Sequence, residues 1–451
     1  MQTSSDLALY LVFWVATVTV VVWNRWRKGR RGTGLVFSYL ATLWLNYWVG
    51  ASLYLIPWHD YHDPNLVEAG FLQSTYGIVA FAFGSIVLSP LVMKFFRIAK
   101  ERAGSYALHQ ELPKAYLVIG VVSFLLLSTP LGSMPTFNAL IAVGQQLFVV
   151  GLCLLCWQAW LDKDVKAFGI WFGVTLLLPF ITVVTRGFIG YGMASTLVVL
   201  TFVASVVRLR LMPIVVTGLI LGYLGLSVYV SYMRDRNEIR EVVWGGEALE
   251  SRIDRVLETI DTLEWFNPMN EHHLQRVDKR LNQNVFVGMV VDRLSDTGEY
   301  ASGATLWQAL LALIPRIVWQ DKPIAAGSGD LVSEYTGLRF AEGTSVGIGQ
   351  VMEFYINFGT AGVIGFFLLM GIAVTLIDDL AEQRLLQGHW QGFALWFLTG
   401  ISFLQVGGSL VEIASSAGAS IVLALSVNKF LLYRFQKKHT HESAENEVQT
   451  L

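Results

Sequence analysis

The sequence predicts an all-α polytopic membrane protein. Of its 451 residues, 54% are hydrophobic and only 15% are charged, well below the ~25% charged residues of soluble domains. Apolar runs of about 20 residues recur along the chain, and at ~1.5 Å per residue each run matches a ~30 Å hydrocarbon core. A β-barrel would instead show alternating segments of about 10 residues. The net charge of −2 gives no reason to expect a nucleic-acid partner.

Eleven transmembrane helices are predicted, the first of them at the N-terminus. No basic residue precedes that first run and it has no small-residue cleavage site, so it is interpreted as a retained span and not as a signal peptide. The two cysteines, Cys153 and Cys156, are interpreted as small apolar residues of a buried helix and not as a redox or zinc pair. The spans are centred near residues 14, 45, 85, 124, 149, 177, 198, 222, 369, 400 and 422.

Basic residues predict the orientation. Nineteen of the 32 lysines and arginines fall at alternate connections, whereas the short connections on the other side carry one, Arg186. By the positive-inside rule the N-terminus lies outside and the C-terminus inside. We therefore divide the chain into spans 1–8 (1–233), a large extracytoplasmic loop (234–359), spans 9–11 (360–433) and a cytoplasmic tail (434–451).

The long loop is predicted to be partly helical and to carry the chemistry. It holds 12 of the 32 basic and 19 of the 34 acidic residues. Apolar residues recur at helical spacing from Leu249 to Leu263, which predicts an amphipathic helix. Leu306–Trp319 is apolar enough to lie in the membrane interface.

Three cations are candidates for binding an anionic substrate. Arg186 stands at the outer end of a span, and it is either an interfacial arginine that extends to the headgroups or a clamp for a diphosphate or an acidic sugar. Arg316 and Lys322 lie between Pro315 and Pro323, beside Trp319, in the run Pro-Arg-Ile-Val-Trp-Gln-Asp-Lys-Pro. This run is either an anchoring belt or a contact to the phosphates of a lipid-linked substrate.

Glu353 is the first candidate for a general base, since it precedes the ninth span in Glu-Phe-Tyr-Ile-Asn-Phe-Gly. It could equally pair with Arg316 or Lys322 as scaffold. Glycines at 327–329 and 343–349 are a weak candidate for a phosphate cradle and a better one for a close-fitting loop. Further polar candidates without a resolved role are Glu334, Tyr335, Arg339 and Glu342.

Histidines supply the remaining candidates. The run His59-Asp60-Tyr61-His62-Asp63 contains metal-ligating side chains, but its spacing matches no specific site, so a polar turn is the preferred interpretation. His272 and His273 are interpreted as solvated loop residues, with His272 the second candidate for a base. No metal or cofactor is predicted. Charged residues are absent from the middle of the spans, which argues against a transporter.

Taken with Arg186 and the long late loop, the runs at 315–323 and from Glu353 to Gly362 resemble the bacterial oligosaccharide repeat-unit polymerases, the Wzy-type O-antigen and exopolysaccharide polymerases. Their approximate pattern Pro-Arg-x-x-Trp-x-x-Lys-Pro is matched at every fixed place of residues 315–323. The resemblance covers about residues 300–375 plus Arg186. The paired arginine-rich repeats described for two outer loops of that family are not matched, because only one short outer loop carries an arginine.

The resemblance implies a metal-independent glycosyltransferase of the bacterial inner membrane. It would transfer a growing glycan from undecaprenyl diphosphate to a new lipid-linked repeat unit, with a chain-length regulator as a further partner. Arg186, Arg316 and Lys322 would stabilise the diphosphate leaving group, and Glu353 would act as base. Substrate contacts would come from Trp319, Asp321, Glu334, Tyr335, Arg339 and Tyr355. The alternatives are an O-antigen ligase, a lipid-linked oligosaccharide transporter and a non-catalytic scaffold.

Overall fold

Within the described residues the chain forms α-helices, two of them interrupted by short π-helical segments (Trp44–Trp48 and Gly84–Leu88), and no strand. The computed structural model describes residues 3–27, 29, 32–95, 110–127, 129, 131, 134–207, 210–314, 319, 327–340 and 346–449. The helices are α1 (Thr3–Arg27), α2 (Leu35–Leu43), α3 (Val49–Leu53), α4 (Pro64–Phe83), α5 (Ser89–Phe95), α6 (Leu112–Leu126), α7 (Pro135–Gly144), α8 (Leu147–Leu161), α9 (Val165–Arg186), α10 (Gly190–Val206), α11 (Leu211–Trp244), α12 (Leu249–Asp261), α13 (Glu271–Leu281), α14 (Asn284–Thr297), α15 (Ala304–Ala312), α16 (Ser328–Thr336), α17 (Gln350–Leu386), α18 (Trp390–Phe403) and α19 (Leu410–Gln449).

Seven helical stretches of the described chain are long and apolar enough to cross a membrane. The other four predicted span centres fall on shorter segments: the π-helical segment near residue 45 and the helices α6, α10 and α18. The all-helical fold and its membrane character are confirmed, whereas the number of eleven spans stays a prediction. The seven stretches are Asp6–Arg27, Pro64–Phe95, Phe137–Leu161, Val165–Arg186, Met212–Trp244, Gln350–Leu386 and Leu410–Leu431.

The insert, which is the predicted long loop of residues 234–359, does not form a separate unit. Helix α11 continues unbroken across the predicted boundary at 233/234. Leu274, Val285 and Val290 of the insert belong to the same hydrophobic core as Phe71 of α4 and the membrane-type helices around it. Helices α13 and α14 of the insert therefore pack into this shared core, because their apolar faces need the helices of the bundle to cover them. The position of the insert outside the membrane stays a prediction.

Helix α14 packs directly on α4 through two glycines. A Cβ placed on Gly70 would lie 2.0 Å from the carbonyl oxygen of Asn284, and one on Gly288 would lie 1.9 Å from that of Leu66. Small residues let two helix backbones approach this closely. The contact fixes the insert against the membrane-type bundle.

Helix α17 reverses direction near its start. Phe358 (φ −145°, ψ 24°) and Gly359 (φ 61°, ψ −150°) leave the helical region, and only glycine adopts the latter conformation without large strain. The rings of Phe354 and Phe366 stack with centroids 4.9 Å apart, whereas twelve residues of straight helix would separate them by about 18 Å. The segment 350–357 is therefore folded back along the rest of α17, and the reversal falls at 358–359, next to the predicted start of the ninth span at residue 360.

Three charged side chains lie close to one another near the ends of candidate spans. Arg25 of α1 donates to Asp378 (2.9 Å) and Asp379 (2.8 Å) of α17. Asp378 also accepts hydrogen bonds from the backbone N–H and the hydroxyl of Thr33, each at 2.7 Å, just before α2. Both oxygens of this buried carboxylate accept hydrogen bonds from the protein, and these bonds connect α1, α2 and α17. Its burial is therefore explained without a role in transport.

Candidate functional site

Glu353 is the most constrained of the predicted site residues. It lies on the folded-back start of α17 and its side chain is completely buried. One carboxylate oxygen, Oε2, accepts the backbone N–H of Leu410 at 2.7 Å. The other, Oε1, is buried and accepts no hydrogen bond of normal geometry, although the Thr305 hydroxyl lies next to the carboxyl group. An unsatisfied buried carboxylate oxygen costs about 1–3 kcal/mol or more, so its retention calls for a functional explanation.

Polar groups from the insert surround the same turn of helix. Asn357, one turn beyond Glu353, donates to the Thr305 hydroxyl (2.8 Å) and to the Glu353 carbonyl (2.7 Å). Its side-chain oxygen accepts the N–H of Gly303 at 3.0 Å. These bonds attach the start of α15 to the folded-back helix. Asn357 and Thr305 were not among the predicted site residues, although the position of Asn357 four residues after a candidate acid is a signal that could have found it.

A second carboxylate stands at the start of α19, two residues after Leu410. Glu412 accepts from the Ser328 hydroxyl (3.0 Å) and from the Ser409 N–H (3.1 Å). Because Ser328 opens α16, this contact joins α16 to the chain segment that holds Glu353. The structure therefore brings α15, α16, α17 and α19 together at one place.

The predicted substrate-binding residues differ in their burial and in their neighbours. Tyr355 shares the folded-back helix with Glu353, and its ring lies 6.4 Å from that of Tyr300. Tyr335 of α16 is half-buried, and burial together with the nearby charge of Glu334 raises its pKa. The side chains of Glu334, Arg339 and Trp319 are exposed. The remaining predicted residues, Arg316, Asp321, Lys322 and Glu342, lie outside the described residues.

The glycine-rich segments are engaged by the protein itself. The N–H of Gly327, at the start of α16, donates to Asp330 at 3.1 Å. The N–H of Gly349 donates to the carbonyl of Gly407 at 3.1 Å. A Cβ on Gly347 would lie 2.0 Å from that same carbonyl oxygen. In their described part these glycines form a close-fitting loop, which was the preferred of the two interpretations. The N–H groups of Gly327 and Gly349 are already used in hydrogen bonds within the protein and are not free to bind a phosphate.

Arg186 ends α9 and lies beside a cluster built by α9, α10, α11 and α12. Its guanidinium stands 4.2 Å from the ring centre of Phe124 and 5.9 Å from that of Tyr191. The Nη2 atom is buried without a hydrogen-bond partner. Gly187 ends α9 in a left-handed conformation (φ 73°), and aromatic packing then orients the arginine.

The histidines have structural partners. His59 is buried and bonds through Nε2 to Asp278 (2.9 Å), which also accepts from the Tyr54 hydroxyl (2.7 Å). His273 is buried, so its prediction as a solvated residue is wrong: it bonds to Glu264 (2.9 Å) and accepts the Asn267 N–H (3.1 Å). His272 is exposed. No group of metal-ligating side chains occurs among the described residues.

The arginines of α11, α12 and α13 fall into two sets, those with a carboxylate partner and those without, and this division was not predicted from the sequence. Arg234, Arg255 and Arg276 each contact a carboxylate, for example Arg234 to Glu264 at 2.7 Å and Arg276 to Glu264 at 3.2 Å. Arg236, Arg240, Arg252 and Arg280 have no such partner within 4 Å in the described part of the chain. Of these, Arg252 donates to the backbone carbonyl of Glu247 at 2.8 Å. The i, i+4 spacing of Arg236 and Arg240 on a helix is the signal that could have found this set.

Comparison with known proteins gives a family and no named relative. A family model described as a domain of unknown function, DUF8712, matches residues 76–435. No curated protein and no solved structure matches the chain. The match extends from α4 into α19, and it includes the insert, Glu353 and Arg186. Since it covers well over half of the sequence, the chain belongs to the DUF8712 family.

Proposed function

We propose that this protein is a membrane glycosyltransferase that polymerises undecaprenyl-diphosphate-linked oligosaccharide repeat units at the outer face of a bacterial inner membrane. In this proposal eleven spans place the N-terminus outside, the C-terminus in the cytoplasm and the polar parts of the insert at the outer face. The resemblance of residues 315–323 to the repeat-unit polymerases supports it. The observation that carries it is the completely buried carboxyl group of Glu353 within the insert, next to the Thr305 hydroxyl.

The chemistry assigns one role to Glu353 and another to the cations. Glu353 takes the proton from the acceptor sugar hydroxyl as the glycosidic bond forms at the donor's anomeric carbon. The bond from that carbon to the diphosphate oxygen breaks, and undecaprenyl diphosphate leaves. Arg316, Lys322 and Arg186 are assigned to the growing charge on that diphosphate, while Trp319, Asp321, Glu334, Tyr335, Arg339 and Tyr355 are assigned to the sugars.

Glu353→Gln tests the proposed base. The amide keeps an oxygen that accepts the Leu410 N–H, so the local fold should remain, but it cannot take a proton. With short undecaprenyl-diphosphate repeat units and purified protein, we expect wild type to give a glycan ladder and the variant to lose at least 100-fold in rate, as for removal of a general base.

Glu299→Gln is the matched control, since Glu299 is an exposed acid of the insert. It should keep the wild-type ladder. A wild-type ladder from Glu353→Gln would assign Glu353 to holding Leu410 and refute the base. A single transfer of glycan to lipid A by wild type would instead identify a ligase, and no glycan product at all would refute the transferase.

A further inference from the structure

Three arginines converge where α11 meets α13. Arg236 and Arg240 are one turn apart on the same side of α11, and α13, which ends near Arg280, packs against α11. Although Arg280 is exposed to solvent, desolvation by the neighbouring helix and the charge of Arg236 both lower its pKa, so the two guanidinium groups lie within electrostatic reach of each other. Tyr229 and Tyr232 of α11 lie beside them.

Nothing in the described part of the protein neutralises this cluster. The carboxylates nearby are directed to other arginines: Glu264 contacts Arg234 and Arg276, and Glu258 contacts Arg255. Three like charges without counter-ions destabilise the fold. A bound anion would reduce the repulsion among these three guanidinium groups, which have no carboxylate within 4 Å in the described part of the chain.

The cluster is also held in place. Arg240 stacks on Phe188 (4.2 Å) and Trp244 (5.0 Å), and its Nε donates to the carbonyl of Gly187 at 3.3 Å. That carbonyl also accepts the Tyr232 hydroxyl at 2.8 Å. Since Gly187 follows Arg186 directly, the same contacts bring the end of α9, with the unpaired Nη2 of Arg186, against this part of α11.

We propose that Arg236, Arg240 and Arg280 form a binding site for a phosphate or diphosphate group. Guanidinium is suited to this ligand because its planar donors match two phosphate oxygens at once. The group could belong to a lipid headgroup or to a soluble anion. Its assignment to a lipid-linked substrate rests on the proposed function, but binding of a phosphate group does not.

Binding of radiolabelled inorganic pyrophosphate to the full-length protein in zwitterionic nanodiscs tests the site. Wild type should bind saturably, and Arg236→Gln/Arg280→Gln should bind at least 100-fold more weakly, because two charge-assisted hydrogen bonds to the phosphate oxygens are lost. Arg276→Gln is the matched control: it lies one turn from Arg280 on α13 but is paired with Glu264. It should bind within two-fold of wild type.

Repeating the titration in nanodiscs containing phosphatidylglycerol distinguishes the sources. Competition that disappears in the double variant indicates a lipid headgroup, and no competition indicates a soluble anion. Equal pyrophosphate binding by wild type, the double variant and Arg276→Gln would overturn the site, as would absence of binding to wild type. This experiment measures pyrophosphate binding and not glycan synthesis. Its outcome therefore does not depend on whether Glu353→Gln loses the glycan ladder.

Discussion

Asp278 shows how a single residue of the insert holds distant parts of the chain together. Its side chain is fully buried and accepts from Tyr54, His59 and Asn282. Two of these donors belong to the segment between α3 and α4, more than 200 residues earlier. The run around His59 is thus a turn, as its preferred interpretation had it, whose histidine is fixed by an aspartate that the sequence did not pair with it.

Replacing Asp278 by alanine should destabilise the protein by about 3 kcal/mol. The hydroxyl of Tyr54 and the imidazole of His59 would remain buried without their acceptor, and each such loss costs ~1–3 kcal/mol. Thermal unfolding of the purified protein, followed by helical circular dichroism, measures the change. Asp296→Ala, at an exposed position of α14, is the control; equal midpoints for the two variants would contradict the assigned role.

Glu264 should make the free energy of unfolding depend on pH in the acidic range. Its hydrogen bond to Arg234, with that to His273, holds its pKa below the ordinary value of 4.5. A carboxyl group whose folded-state pKa is depressed stabilises the fold above about pH 4.5 and loses this contribution as the pH falls through the folded value. The unfolding midpoint of Glu264→Gln should therefore fall less steeply below pH 4.5 than that of wild type. Parallel curves would refute this.

At the scale of elements, the contact of α4 with α14 decides where the insert lies. The sequence predicted helical segments correctly, since periodicity is a local property. It could not show that Gly70 and Gly288 face the backbone of another helix. A glycine that faces lipid stands in the same kind of local sequence as a glycine at a helix contact. Only the approach of α14 to α4 distinguishes these two from the open positions Gly218 and Gly222 of α11.

Gly288→Ala should destabilise the protein by about 2 kcal/mol, as overpacking of a tight contact typically costs ~1–3 kcal/mol. Its methyl group would meet the Leu66 carbonyl. Gly218→Ala on α11 is the matched control, as nothing lies within 4 Å of its added Cβ, and it should be neutral or slightly stabilising because alanine favours helix. Thermal unfolding in the same detergent checks both. A stable Gly288→Ala would show that α14 does not pack on α4.

At the scale of the whole molecule, orientation remains a prediction from charge. Cysteine labelling can test it, because both native cysteines are buried and should give little background. Glu299→Cys in the insert should react with an impermeant maleimide on intact cells. Asp162→Cys, exposed at the end of α8, should react only after permeabilisation. The reverse pattern would place the insert in the cytoplasm and exclude the proposed outer-face polymerase.

The sequence by itself determined the all-helical fold, the membrane character, the positions of the apolar helices and the burial of the two cysteines. These follow from composition and from hydrophobic period, which neighbouring residues define among themselves. Tertiary structure decided the reversal at Gly359, the packing of α13 and α14 into the core, and the burial of the Glu353 carboxyl group. It also decided which arginines have acidic partners. Those features depend on contacts between groups that are tens to hundreds of residues apart in the sequence. Hydropathy and charge spacing describe neighbouring residues and do not predict such contacts.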